Sequence, residues 1–275
     1  MTTHSATSPP APMGVGQWVY DGWAMVIRHL QRLRNAPSLI VLTLTAPILM
    51  LLLFGYVFGG AVTLPGGANY RAYLVPGLFV SIAANGIMTG MITTAYDAQR
   101  GVMDRFRSLP MSRSAVPLGQ ALSEVFIAAI ALVPLVLVGL AVGWRIRGGA
   151  VSALGALGLL LLFRLVAGWI GQYLGLLVGS EEAAGQLSSL VFAVTLISNT
   201  YVPTAGMPGW LRAVAEWNPV SAVVAACRDL TGNALAQPGA AWPIAHPVAG
   251  ALAWSLALLV VFVPLTVRRY ARSGR

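Results

Sequence analysis

Residues 151–178, VSALGALGLLLLFRLVAGWIGQYLGLLV, carry a single charged residue, Arg164. A helix rising ~1.5 Å per residue needs about 20 mostly apolar residues to cross a hydrocarbon core ~30 Å thick, and this run exceeds that length. Five further apolar stretches flank it, at 38–60, 72–94, 116–142, 187–202 and 247–267. The stretch at 187–202 is short, and Asn199, Pro203 and Pro208 crowd its end. Together the six runs predict an all-α, polytopic membrane protein with six transmembrane helices.

Composition agrees. Of 275 residues, 57% are hydrophobic and 9% charged, with a mean hydropathy of +0.76, whereas soluble domains carry about 25% charged residues. All 17 basic residues are Arg. Without Lys the chain cannot build a phosphate-binding G-x-x-x-x-G-K-[ST] loop or a pyridoxal Schiff base. One cysteine, Cys227, excludes an internal disulfide framework, and His4, His29 and His246 are too scattered for a metal site. The first apolar run begins near residue 38, beyond the hydrophobic region of a signal peptide, so no removable leader is expected.

Arginine placement sets the orientation, because cytoplasmic loops beside spans retain positive charge. With both termini inside, 11 Arg fall on the cytoplasmic side and 5 on the other, and Arg164 lies within a span. This asymmetry accounts for most of the basic excess behind a pI of 10.6, so no nucleic-acid partner is expected.

Outside the spans, residues 1–16 are rich in Ser, Thr, Pro and Ala and read as a disordered leader. Over 17–36, Val19, Trp23, Val26, Ile27, Leu30 and Leu33 recur at helical spacing opposite Asp21, Arg28, Gln31 and Arg32, which predicts a cytoplasmic interfacial helix. Residues 37–275 then form one membrane domain. The cytoplasmic loop from 97 to 114, DAQRGVMDRFRSLPMSRS, interleaves Asp97, Arg100, Asp104, Arg105, Arg107 and Arg113 with Val102, Met103, Phe106 and Leu109 before Pro110. Exposed apolar residues at this spacing call for a docking surface, either a partner protein or the lipid.

On the opposite side, about 45 residues separate the last two spans. Two short amphipathic helices, one with Trp210, Val214 and Trp217 and one over 221–230, are expected to be re-entrant in the outer leaflet or to pack on the tops of the spans. Asn218 is a strong N-cap and Pro219 suits the first helical position, so the second helix should start there. Arg228 then lies near its C-terminal end, where positive charge is favourable.

Within the spans, Glu124 and Arg164 are the clear charges, and an unpaired one costs roughly 2.5 to 3.5 kcal/mol on insertion scales. Both are expected to face the protein interior. Gly171, Gly175 and Gly179 form a small-residue ridge suited to close packing with another span of the same chain.

An entry helix, two spans, a basic loop with RGVMDRFRSLPMSR, four more spans and a late WNPVSAVVAACRDLTG segment resemble the type-2 ABC exporter permeases, especially the daunorubicin/doxorubicin-resistance kind. Gly101 to Arg113, and Pro203, Pro208, Trp210, Asn218, Pro219, Arg228 and Gly232, carry the resemblance; Gln99 and Arg100 stand where the family often has a Glu before the loop Gly. The resemblance implies no catalytic residue in this chain. It implies a cytoplasmic ABC ATPase subunit holding ATP and Mg, a second permease copy or a similar permease, and export of an amphiphilic drug, antibiotic or lipid across the cell membrane. The loop residues Asp97, Arg100, Gly101, Asp104, Arg105, Phe106, Arg107, Leu109, Pro110 and Arg113 would contact the ATPase. Trp210, Asn218, Pro219 and Arg228 would form an external gate. A secondary transporter or channel is the alternative, with a polytopic membrane enzyme behind it; neither G-x-S-x-G nor H-E-x-x-H occurs.

Overall fold

The computed structural model describes residues 37–57, 59, 64, 67–100, 115–235 and 237–272. The leader at 1–16, the interfacial helix at 17–36 and the loop residues Gly101, Asp104, Arg105, Phe106, Arg107, Leu109, Pro110 and Arg113 lie outside the described residues. The described elements are all helical. They comprise α1 (Pro37–Leu52, extended by a π turn at Leu53–Val57), α2 (Tyr70–Ala84), α3 (Gly86–Gln99), α4 (Ala115–Ala141) and α5 (Gly149–Val178). There follow α6 (Glu181–Leu196), a 3-10 turn (Thr204–Gly206), α7 (Gly209–Trp217), α8 (Pro219–Leu230), α9 (Trp242–Ala245) and α10 (Pro247–Arg272).

Four helical units among the described residues are long and apolar enough to span a bilayer: Tyr70–Gln99, Val116–Ala141, Gly149–Val178 and Pro247–Arg272. The first of these is α2 and α3 together, broken only by a turn at Asn85, where the sequence predicts one uninterrupted span. The runs at 38–60 and 187–202 appear as the 16-residue helices α1 and α6.

The boundaries of α6 differ from the hydropathy run at both ends, for local reasons. Gly179 takes a left-handed φ of 70° and ends α5, while the Ser180 hydroxyl accepts from the Ala183 N–H and Glu181 and Glu182 occupy the first turn. An N-cap and acidic residues at the positive end of the helix dipole start α6 six residues before the apolar run. At the other end, the backbone after Leu196 leaves the helix and its carbonyls are taken by side chains from elsewhere. Gly179 is therefore a helix stop, where an added Cβ would meet nothing within 4 Å, and does not belong to the packing ridge.

Gly171 and Gly175 do pack within the chain. A Cβ at Gly171 would meet the Ile87 carbonyl oxygen and Met91 backbone, and one at Gly175 would lie 2.5 Å from the Met91 carbonyl oxygen. On the facing helix, a Cβ at Gly90 would lie 3.1 Å from the Gly168 carbonyl oxygen. Lipid tails are as apolar as Leu, so helices in a bilayer associate through such close van der Waals fit rather than hydrophobic burial. The α3–α5 contact is accordingly the axis of the molecule. Beside it, α2 is buried on nearly every face, with Tyr73, Leu74, Val75, Leu78 and Val80 at 2% exposure or less. At the periphery, α1, α6 and α10 leave large apolar side chains uncovered.

Candidate functional site

Two polar constellations stand out against this apolar frame. The first lies between α3, α4 and α5. Arg164 Nη2 is 3.5 Å from Glu124 Oε2, and the two residues are 7% and 8% exposed. The guanidinium also donates to the Ile82 carbonyl at 3.3 Å and to the Thr89 hydroxyl at 3.1 Å. Gly86 makes room for it, since a Cβ there would lie 3.0 Å from Arg164 Cδ. Arg164 thus spans the turn at Asn85, touching the last turn of α2, the first of α3, and α4. An ion pair that also satisfies backbone and hydroxyl acceptors is how a bilayer interior tolerates charge.

Towards the loop end of the same helices, Gln120 donates to the Thr94 hydroxyl at 3.4 Å and Gln172 to the Pro117 carbonyl at 3.1 Å. Thr94, Gln120 and Gln172 line a small cavity with Asp97 and Tyr270. The Arg100 guanidinium stacks over the Tyr96 ring, 4.3 Å from its centroid, and the Gln99 side chain accepts from the Glu181 N–H. Polar groups therefore follow α3 and α4 from the loop inward to Arg164.

The second constellation sits at the other end, where the chain leaves α6 after the Ile197 N–H has bonded the Ala193 carbonyl and residues 198–203 run without helical bonds. Their backbone is held by side chains on two helices. From α2, the Tyr70 hydroxyl donates to the Tyr201 carbonyl and the Tyr73 hydroxyl to the Asn199 carbonyl, both at 2.8 Å. From the α8 end, the Asn218 amide donates to the Val194 and Ile197 carbonyls at 3.0 and 2.7 Å, and Ser221 accepts from the Asn199 N–H. Arg228 completes the set, with Nε donating to the Tyr73 carbonyl at 2.9 Å and Nη2 to the Asn199 and Thr200 carbonyls at 3.0 Å each. Gly77 permits the approach, because a Cβ there would lie 2.7 Å from the Thr200 carbonyl oxygen.

Asn218 caps α8, its Oδ1 accepting from the Val220 N–H at 2.9 Å, and Pro219 is the first helical residue. Arg228 lies in the last turn of α8, yet its bonds go to α2 and to residues 199–200 rather than to the carbonyls of its own helix. The Thr231 hydroxyl serves those carbonyls instead. Nor do α7 and α8 share one environment. Most of α8 is buried against α2, α5 and α10, whereas Trp210, Val214 and Trp217 of α7 are 73%, 54% and 55% exposed. Trp210 is consequently far more exposed than Asn218 and Arg228, which form the clamp.

Sequence reading missed Glu216, which organises the segment between α6 and α10. Its carboxylate accepts from Arg212 Nε at 2.6 Å, the Thr204 hydroxyl at 3.0 Å and the Ala241 N–H at 2.7 Å. Burial pushes this carboxyl up, but the bonds from Ala241, Arg212 and Thr204 outweigh it and hold the group below its ordinary value. The available signal was Arg212 and Glu216 at i, i+4 on a short amphipathic helix. Tyr70, Tyr73, Thr89 and Asn199 left no comparable trace.

Comparison with known proteins places this geometry. Residues 20–230 match the model of the ABC-2 type transporter family. The chain is 31% identical over 246 residues to the daunorubicin resistance ABC transporter permease protein DrrB1 of Streptomyces coeruleorubidus, covering 88% of this chain and 83% of the relative. It is 26% identical over 249 residues to the doxorubicin resistance ABC transporter permease protein DrrB of Mycobacterium tuberculosis, covering 84% of each. The probable doxorubicin resistance permease protein DrrC of the same organism is 24% identical over 227 residues, covering 80% of this chain and 78% of the relative. The chain belongs to the ABC-2 type transporter family, as a multi-pass membrane permease subunit.

Proposed function

We propose that the chain moves an amphiphilic drug, antibiotic or lipid out of the cytoplasm or inner leaflet, driven by ATP hydrolysed on a separate ABC ATPase subunit. The relatives named for daunorubicin and doxorubicin resistance support that substrate class. In this reading α1 and α6 are the first and fifth of six spans, both termini are cytoplasmic, and the membrane is the cell membrane. The ATPase docks on residues 97–113. A second copy or a similar permease covers exposed faces of α1 and α6, which present Leu49, Val57, Leu190 and Val194 at 58%, 67%, 63% and 61% exposure.

The observation that carries the reading is the Thr89–Arg164–Glu124 linkage. Helices α3 and α4 enter and leave the loop, and Arg164 ties them together deep in the span layer. Displacing the loop then moves both helices as a unit instead of bending one. At the outer end, the Arg228 clamp holds α8 and residues 199–200 against α2, and its release would open that end. Two states of similar free energy, biased by a few kcal/mol of differential contact at the loop, suffice.

The test is nucleotide hydrolysis by the co-purified permease and ATPase, screened for stimulation by candidate amphiphiles. Stimulation together with vectorial uptake into inverted vesicles is the expected result. Uptake driven by an ion gradient without ATP would replace this reading with that of a secondary transporter.

A further inference from the structure

A basic groove on the loop-proximal side of the molecule has no part in the mechanism above. It lies between α5 and α10, encloses about 390 Å³, and is lined by Tyr173, Leu265, Arg268, Arg269 and Arg272. Two of its walls are held in place. The Tyr173 ring packs edge-on against Phe262 at 5.7 Å, and Arg269 Nε donates to the Leu176 carbonyl at 3.2 Å. Arg268 and Arg272 are exposed, and among the described residues neither has a carboxylate partner.

Above this groove α10 carries a continuous apolar track. Leu252, Leu256 and Val260, at 41%, 56% and 74% exposure, follow one another at four-residue intervals. Continued at the same spacing, the line passes Pro264 and reaches Arg268 and Arg272. Residues four apart are neighbours on a helix surface, so this row, winding about 40° round α10 at each step, leads from tail-sized apolar surface to a cluster of positive charge.

We propose that this groove binds the phosphate headgroup of an anionic membrane phospholipid, with its acyl chains lying along the α10 track. Guanidinium forks match phosphate oxygens in charge and in bidentate geometry, and basic pockets between spans suit anionic headgroups. Lipid is favoured over an acidic protein surface by depth. Tyr173 and Leu265 fall within the apolar runs 151–178 and 247–267 taken as spans, where acyl chains reach and a soluble partner does not. The proposal rests on the topology above, in which this end faces the cytoplasm.

The full chain, purified in micelles with equal amounts of phosphatidylglycerol and phosphatidylcholine, is examined by native mass spectrometry. Wild type should retain phosphatidylglycerol selectively, and Arg268→Ala/Arg272→Ala should retain about thirtyfold less, at roughly 1 kcal/mol for each basic residue. Arg272→Ala alone should fall between them. Inorganic phosphate should not displace the lipid. Equal retention of the two lipids, equal retention by wild type and the double variant, or displacement by inorganic phosphate would each overturn the proposal. So would loss of a co-purified ATPase from the double variant with lipid retention unchanged, which marks a protein-docking surface. The topology is read separately with Ser273→Cys and an impermeant maleimide, since the native Cys227 is 1% exposed. Labelling from outside would reverse the topology while leaving the lipid measurement to stand or fall on its own.

Discussion

The Arg228 guanidinium lies on the face of the Tyr73 ring, its central carbon 3.4 Å from the ring centroid, while the same side chain donates to the Tyr73 backbone carbonyl. One residue of α8 is thereby bound to one residue of α2 through both ring and backbone. Hydrogen bonds from a charged donor contribute about 1.5–3 kcal/mol each, and a desolvated cation–π contact about 2 kcal/mol.

Arg228→Ala should therefore abolish export while membrane insertion and ATPase association persist, because the clamp lies at the end opposite the loop. Arg228→Lys should restore little, since an ammonium has no planar fork to serve carbonyls in two directions. Tyr73→Phe keeps the ring and loses only the bond to the Asn199 carbonyl, so it should cost about 1 kcal/mol. Normal export by a well-expressed Arg228→Ala permease would show that the clamp has no part in transport.

Glu124 and Arg164 should behave as a coupled pair. Removing either charge alone leaves the other buried without its counter-ion, at about 3–5 kcal/mol, and removing both avoids that penalty. Glu124→Gln/Arg164→Gln should thus be milder than the sum of the two single replacements in a thermal-shift series. A sum equal to the double would mean the charges are independent.

Gly171→Leu should disrupt the α3–α5 contact, because its first added carbon already meets the Ile87 carbonyl oxygen and backbone cannot yield as a side chain does. Overpacking of this kind costs about 1–3 kcal/mol or more. Gly179→Asn should be milder, as that position needs only a left-handed residue. Comparing the yield of folded protein by size-exclusion fluorescence would distinguish the two.

The segment between α6 and α10 should loosen in acid. The folded Glu216 carboxyl titrates below its ordinary value of 4.5, so its ionised form stabilises the segment above that pH. That contribution is lost as the pH falls through the lowered folded value. Protease nicking of residues 204–241 should rise over that window in wild type. In Glu216→Gln it should be high at neutral pH and change little on acidification.

If residues 97–113 dock the ATPase as proposed, Phe106→Ala or Leu109→Ala should detach or uncouple it, since burying a side chain of this size in a partner contributes roughly 1.5 to 3 kcal/mol. Charge reversal at Arg105 or Arg107 should weaken the same association in a salt-sensitive way. An ATPase retained in full stoichiometry with normal substrate-stimulated hydrolysis would instead leave the loop on the lipid surface.

The sequence alone determined the helical membrane class, the positions of four long spans and the start of α8 at Asn218–Pro219. Each is a local property: hydropathy adds along a run, and a cap is set by adjacent residues. It also singled out Glu124 and Arg164 as charges in costly surroundings, and Arg228 as a charge favoured at the end of its own helix. What each charge touches was decided only by tertiary structure. Arg228 meets a carbonyl 155 residues away, and Tyr73 one 126 residues away. Neither tyrosine of α2 differs in sequence from an ordinary buried aromatic. The helix at 187–202 ends early where the Asn218 amide takes the Val194 and Ile197 carbonyls, which a continuing helix would have used. Glu216 stayed hidden because its surrounding donors come from three separate segments. Backbone groups carry no sequence signature, so a site built on captured carbonyls becomes visible only once the helices that capture them are packed together.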